Sequence, residues 1–335
     1  MTECAEPAGV VPAVRPLNPK VVALGGGHGL FASLSALRRV TRQLAAIVTV
    51  ADDGGSSGLL RREFGVLPPG DLRMALAALC GDDAWGTTWS RVIQHRFAGG
   101  ATGDCSGLGG HAVGNLLIVA LWELLGDTVQ GLEWVGRLLG AHGRVLPMAS
   151  VPLDLAAEVE GVDPARPREV STVRGQAECA VTTGRVRSIS LIPPDPPACP
   201  EAVAAIHDAD WVVLGPGSWF TSVLPHLLVP ELAQALISTR ARRLVALNLV
   251  PQPGETEGFS PHTHLEVLAG HAPRFSVDVV LADRGTAGAS APDLEKAASQ
   301  LGGRLVLADL AMRDGSPRHD PRWLAGAFSE IFEGE

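Results

Sequence analysis

Two glycine-rich loops, each directly after an apolar run of strand length, constrain this chain more than any other feature. Val21–Leu24 runs into Gly25, Gly26, Gly27, His28 and Gly29, after which Leu30, Leu34 and Leu37 recur at helical spacing. Strand, glycine turn and helix in that order bring unpaired backbone N–H groups and the positive end of a helix to one point, which favours an anion. A second run, Leu44–Val50, delivers Asp52, Asp53, Gly54, Gly55, Ser56, Ser57 and Gly58 to the same edge of a sheet. Two loops there frame a crevice.

Gly27, Gly29 and Ala32 fit the G-x-G-x-x-G/A dinucleotide spacing, and Asp52 lies about 20 residues further on, where an acid binds a ribose hydroxyl. An ordinary strand-to-helix turn also uses glycines, so this spacing alone decides little. DDGGSSG carries more, because paired carboxylates and hydroxyls offer ribose or metal ligands beside backbone anion donors; the alternative is a solvated turn. A third loop, Gly215, Pro216, Gly217 and Ser218, follows the strand Trp211–Leu214 and leads into a helix expected to begin near Thr221 or Ser222. At a fourth strand end Asn248 and Gln252 offer amides to a base edge, with a simple turn-capping role for Asn248 as the competing reading.

The βα rhythm at both ends of the chain predicts a Rossmann-like α/β fold, a mostly parallel sheet with helices on both faces. Between them, helices are expected near 71–80 and 86–97 and through Asn115 to Leu125. Residues 145–192 alternate, as in LDLAAEVE and RVRSISLIP, and read as short antiparallel strands added to the sheet. One domain over 18–335 is therefore expected, with a central insertion at about 145–195 and a flexible tail over 1–17.

Composition limits the partners. A net charge of −9 argues against nucleic acid and against an anionic membrane surface, both of which need a broad basic face. No stretch approaches the ~18 apolar residues of a spanning helix, so no membrane insertion is expected, and the N-terminus lacks the basic region and apolar core of a leader. Five cysteines, Cys4, Cys80, Cys105, Cys179 and Cys199, are scattered and never spaced C-x-x-C, which suits a reducing cytoplasm and assigns no metal. Of 27 basic residues only Lys20 and Lys296 are lysines, and neither follows a glycine loop as a Walker-type nucleotide hydrolase requires.

GGGHGL, IVTVADDGGSSGLLR, GVLPPGDLR, GHAVGNLLI, LGPGSWFTSVLPHLLVP, NLVPQPGETEGF and RHDP occur in this order from residue 25 to residue 321. Together they resemble the YvcK family of gluconeogenesis factors, within the CofD-like superfamily. The resemblance implies a Rossmann-like protein that binds UDP-sugars, above all UDP-N-acetylglucosamine. It also implies support of cell shape and peptidoglycan synthesis during gluconeogenic growth, without catalysis or a cofactor. The superfamily's namesake enzymes instead transfer a phospholactyl group from a guanylyl diphosphate donor with Mg²⁺, so an Mg²⁺-dependent phosphoryl or nucleotidyl transferase is the alternative. In that reading Asp52 and Asp53 hold the ion and His111 positions or deprotonates an acceptor.

Carried over by position, Gly26, Gly27 and Gly29 line the diphosphate or its sugar, Asp52 and Asp53 lie against ribose or a metal, and Gly54, Gly55, Ser56 and Ser57 complete that wall. Asp71 and Arg73 read as an ion pair aimed at the pocket, His111 and Asn115 as helix residues facing it, and Arg318 as a diphosphate clamp or else the partner of Asp320. Gly215, Pro216, Gly217 and Ser218 hold the base or second phosphate. Three departures bear on ligand choice: His28 where relatives carry a threonine, Met74 where they carry an asparagine, and Trp219-Phe220 with His226 where leucine-tyrosine and asparagine are typical. Trp219 is expected either to stack on a base or to pack in the core. A homodimer is expected on frequency alone, and the downstream protein partner is not legible.

Overall fold

The computed structural model describes residues 18–98 and 107–334; the expected tail and two of the cysteines, Cys4 and Cys105, lie outside them. Val21, Val22, Ala23 and Leu24 are all essentially buried, as a strand covered on both faces requires. They form β1 (Lys20–Gly25), an interior strand of a seven-stranded sheet with β2 (Gln43–Val48) and β3 (Arg144–Pro147) on one side. A second group, β4 (Asp154–Glu160), β5 (Val170–Arg174) and β6 (Arg185–Ile192), stands apart. On the other side of β1 lie β7 (Trp211–Leu214), β8 (Arg242–Ala246), β9 (Val279–Asp283) and β10 (Arg304–Ala308).

Every pairing in the large sheet is parallel, with Val21 opposite Leu44 of β2 and Trp211 of β7. The chain runs outward from β1 to β3, returns to β7, and runs outward the other way to β10. Right-handed crossovers then force the helices between β1 and β3 onto one face and those between β7 and β10 onto the other. Accordingly Gly27–Leu37 packs with Pro69–Ala78 and Pro321–Glu333, while Pro200–Asp208 packs with Pro230–Ser238. The direction of winding reverses between β1 and β7, and an open sheet has its natural crevice there.

The antiparallel strands differ from expectation in two ways. Arg144–Pro147 is a parallel edge strand of the main sheet, and the alternating stretch begins only at Asp154. β4, β5 and β6 form a separate sheet in the order β5-β4-β6 and do not extend the large one. Its entry and exit lie side by side: Ser150 N–H donates to the Pro197 carbonyl, Cys199 N–H to that of Met148, and Ala149 bridges Ala198.

The helix expected after the third loop is also replaced. Trp219–Val223 makes one wide π-type turn, Leu224–Leu227 a 3₁₀ turn, and a regular helix waits until Pro230. Pro225 has no N–H to continue an α-helical ladder, so the chain tightens and restarts. Trp219 is fully buried, edge-on to His264 at 5.2 Å, and packs in the core. A helix over Thr128–Leu139 was not anticipated; Asp127 caps it by accepting the Gln130 N–H at 2.8 Å. Among the described residues no single helix is long and apolar enough to cross a membrane.

Candidate functional site: a cleft at the point where the sheet reverses

The carboxyl ends of β1, β7 and β8 open on a cleft of about 620 Å³. Gly26, Gly27, His28 and Gly29 come from the β1 end, Pro216, Gly217 and Ser218 from the β7 end, and Asn248 and Gln252 from the β8 end. Arg318 and His319 close a further side, and Gln176 reaches in from the small sheet. Helix Gly27–Leu37 has a glycine at its N-cap position and therefore no capping side chain; of its first-turn donors, the Gly27 N–H turns to the Asp71 carboxyl. Glycine is required here by space. A Cβ on Gly29 would lie 2.2 Å from the Pro216 carbonyl oxygen, and one on Gly26 would lie 2.6 Å from Asp71 Oδ2.

Asp71 is the charged group at the floor. Its Oδ2 is buried without a partner, and burial, reinforced by the Asp52 charge, pushes the carboxyl up to about 7 against the pull of the Gly27 N–H and Arg73. No ion pair joins it to Arg73. That guanidinium is itself buried, with Nε and Nη1 unpartnered, and burial together with Arg96 lowers its pKa to about 10.

The second loop lies behind this floor. Contrary to expectation, none of Asp52, Asp53, Gly54, Gly55, Ser56 and Ser57, nor Arg73, His111 or Asn115, belongs to the cleft lining. Asp52 Oδ1 accepts the Gly54 N–H at 3.0 Å, an Asx turn that shapes Gly54 and Gly55 into the next helix, Gly55–Phe64. Ser56 Oγ sits 3.0 Å from His111 Nδ1 and accepts from Asn115 Nδ2 at 3.0 Å, so Ser56, His111 and Asn115 form one buried network; Ser57 is buried beside Asp52, against Gly70. Asp53 points elsewhere. Its Oδ1 accepts the Ala177 N–H at 3.0 Å, fastening the short helix Gln176–Ala180 that brings Gln176 to the cleft. Gly215 lies outside the lining, its N–H on the Leu24 carbonyl and its own carbonyl on Ser33 Oγ.

Asn248 lines the cleft with its amide already used: Oδ1 accepts the Gly217 N–H and Nδ2 donates to the Gly217 carbonyl, both at 2.8 Å. Gln252 and Gln176 each keep an Oε1 that is buried and unpartnered. Arg318 pairs with Asp314 at 3.3 Å and is largely exposed, while Asp320 pairs with Arg322 and caps the last helix. The alternative of an Arg318–Asp320 pair is therefore not realised.

Glu255 was not singled out from the sequence. It is buried, accepts from Ser218 Oγ at 2.5 Å and from the Thr221 N–H at 2.8 Å, and burial raises its pKa. Asn248 and Glu255, both following β8, thus hold the third loop. The only trace in sequence is an acid between Gly254 and Thr256 in a turn-rich stretch. His319, which also lines the cleft, is kept neutral by burial, its pKa down to about 4.

A family model described as 2-phospho-L-lactate transferase CofD matches residues 21–311. A Mycobacterium tuberculosis protein named "Putative gluconeogenesis factor" is 53% identical over 313 residues, 93% of this chain and 90% of that one. The chain belongs to the CofD-like superfamily, in its gluconeogenesis-factor (YvcK) family. A family relative from Halalkalibacterium halodurans, named gluconeogenesis factor, is 37% identical over 78% of this chain and 76% of its own length. The crystal structure of a UPF0052-family protein from Bacillus halodurans superposes with a TM-score of 0.79 at 32% identity, covering 94% of this chain and 99% of that one. The family's α/β fold is the one described above.

Proposed function

We propose that this chain is a UDP-sugar-binding regulatory protein whose cleft accepts UDP-N-acetylglucosamine, and that it supports cell shape and peptidoglycan synthesis when cells grow on gluconeogenic carbon. The observation that carries this reading is the meeting of two glycine loops at the reversal point of the sheet, with the uncapped start of helix Gly27–Leu37 facing the cleft. The diphosphate sits on those amides with Arg318 at the mouth, and the unpartnered amide oxygens of Gln252 and Gln176 meet the N–H groups of a uracil or of the acetamido sugar. A cleft of this size suits a nucleotide sugar.

One observation favours the second reading, an Mg²⁺-dependent phosphoryl or nucleotidyl transferase. Asp71 at the cleft floor feels the charge of Asp52 from behind it, and the buried Oδ2 of Asp71 has no partner. In that reading these two would hold the cation, which would supply charge neutralisation to a diphosphate. Asp53 is already engaged by the Ala177 N–H.

Calorimetric titration with UDP-N-acetylglucosamine, with and without Mg²⁺ and with the ligand recovered afterwards, separates the two. Saturable binding of intact ligand, weakened in Gln252→Ala, supports the regulatory reading. Cleaved ligand supports the transferase, and no binding refutes the proposed ligand.

A further inference from the structure

Helix Gly27–Leu37 has its first turn at the cleft and its last turn about 16 Å away, at the opposite edge of the sheet. There a second basin of about 440 Å³ is lined by Arg38, Arg39, Arg42 and His142, with Asp82 as its acid. Asp82 bridges Arg38 and Arg39, at 2.5 and 2.8 Å. Three guanidiniums against one carboxylate leave an excess of positive charge in a chain that carries −9 overall.

Helix capping does not use these side chains. The last carbonyls of the helix, those of Leu34, Ala36 and Leu37, are taken by the backbone N–H groups of Arg38, Arg39, Val40 and Thr41. Arg38 is the telling group. Its side chain is only 11% exposed, and its Nε is buried with no acceptor. Its Nη2 shares the single Asp82 carboxylate with Arg39 Nη2, so one anion serves two guanidiniums and a second anion is favoured beside them. Arg42 and His142 are exposed around the same concavity, Arg42 with its guanidinium unengaged and its backbone N–H on Asn18 Oδ1.

We infer that this basin is a second anion site, for a small phosphorylated ligand, separate from the nucleotide cleft and set at the far end of the helix that forms the cleft's first loop. The Arg42 guanidinium donates to the phosphate oxygens, the Arg38 and Arg39 guanidiniums add their charge from the lining, and His142 closes the rim.

The probe is inorganic pyrophosphate, titrated calorimetrically into the whole protein with UDP present at saturating concentration to fill the cleft. Saturable binding at one site per chain is expected, weakened at least tenfold in Arg42→Ala and again in His142→Ala. Neither residue belongs to the cleft or to a buried ion pair, so both variants should keep the wild-type melting temperature and UDP affinity. The comparison also works if UDP fails to bind, because it rests on the loss between wild type and variant. Absence of pyrophosphate binding under UDP, or binding unchanged in both variants, would overturn the assignment.

Discussion

Gly29 and Pro216 touch so closely that the Pro216 carbonyl oxygen occupies the space where a side chain on Gly29 would begin. Position 29 is inside a helix, where alanine is ordinarily favoured over glycine by up to ~1 kcal/mol. Gly29→Ala should reverse that preference, because the obstruction is backbone and cannot rotate away. A loss of about 1–3 kcal/mol is expected from overpacking, with at least a tenfold loss of nucleotide affinity as the two loops part. Thermal unfolding and calorimetric titration check the two halves separately.

Asp71 should make ligand binding depend on pH near neutrality. Its carboxyl is pushed up to about 7, so it is neutral below that value and an anion beside the diphosphate above it. In the absence of metal, affinity for UDP-N-acetylglucosamine should fall from pH 6 to pH 8 in the wild type and stay flat in Asp71→Asn. If Mg²⁺ reverses the slope in the wild type alone, the carboxylate is serving as a cation ligand. The same raised pKa means that the folded state holds a proton the unfolded chain has released, so stability falls as pH rises from about 4 to 7, and Asp71→Asn removes that decline.

His226 should contribute an acid-labile element to the core. Its ring is fully buried, with nitrogens 3.1 Å from the Ile47 carbonyl and 3.3 Å from that of Val223, and burial holds its pKa down to about 4. The unfolded chain takes up the proton near 6.5, so stability is intact above that pH and drains away as pH falls toward 4. The loss is up to about 3 kcal/mol at 1.36 kcal/mol per pH unit. His226→Asn should flatten the melting temperature over that window.

Asp53 should act on the small sheet. Removing its carboxylate in Asp53→Ala frees the Ala177 N–H and costs about 1 kcal/mol, the usual worth of a lost cap. Faster hydrogen exchange confined to residues 175–181 is expected, with a smaller loss of ligand affinity through Gln176. Exchange unchanged there would show that the bond contributes nothing.

Glu255→Ala should leave Ser218 Oγ and the Thr221 N–H without acceptors in a buried site, costing about 1–3 kcal/mol. Glu255→Gln retains an acceptor and should recover most of the stability, which a melting comparison of the two variants reads directly.

The large sheet was legible because its strands are buried on both faces and therefore appear as unbroken apolar runs; Trp211–Leu214 was located to the residue. The glycine loops mark the carboxyl ends of β1, β2 and β7, but the strand order and the reversal of winding come only from the structure. β3 was misassigned because four residues, Arg144–Pro147, are too few to distinguish parallel from antiparallel pairing. The helix Thr128–Leu139 had its signals in Asp127 and Gly140, but they follow closely on the preceding helix and its Gly126. For the cleft, the glycine loops were readable because their function is carried by backbone. The direction of Asp53, the double bond of Asn248 to Gly217 and the burial of Glu255 depend on tertiary contacts between segments up to 124 residues apart, and no local pattern encodes them.

The neck at Met148–Ser150 and Pro197–Cys199 has a consequence for how such proteins diverge. The groups proposed to grip a diphosphate come from the large sheet, while Gln176 comes from a module joined to it by two adjacent strands of chain. On the proposed function, substitutions, insertions or wholesale exchange within residues 154–192 would alter which sugar is admitted while the phosphate grip is inherited unchanged. Recognition of the common and the variable parts of a ligand is written in separate paragraphs of the same gene.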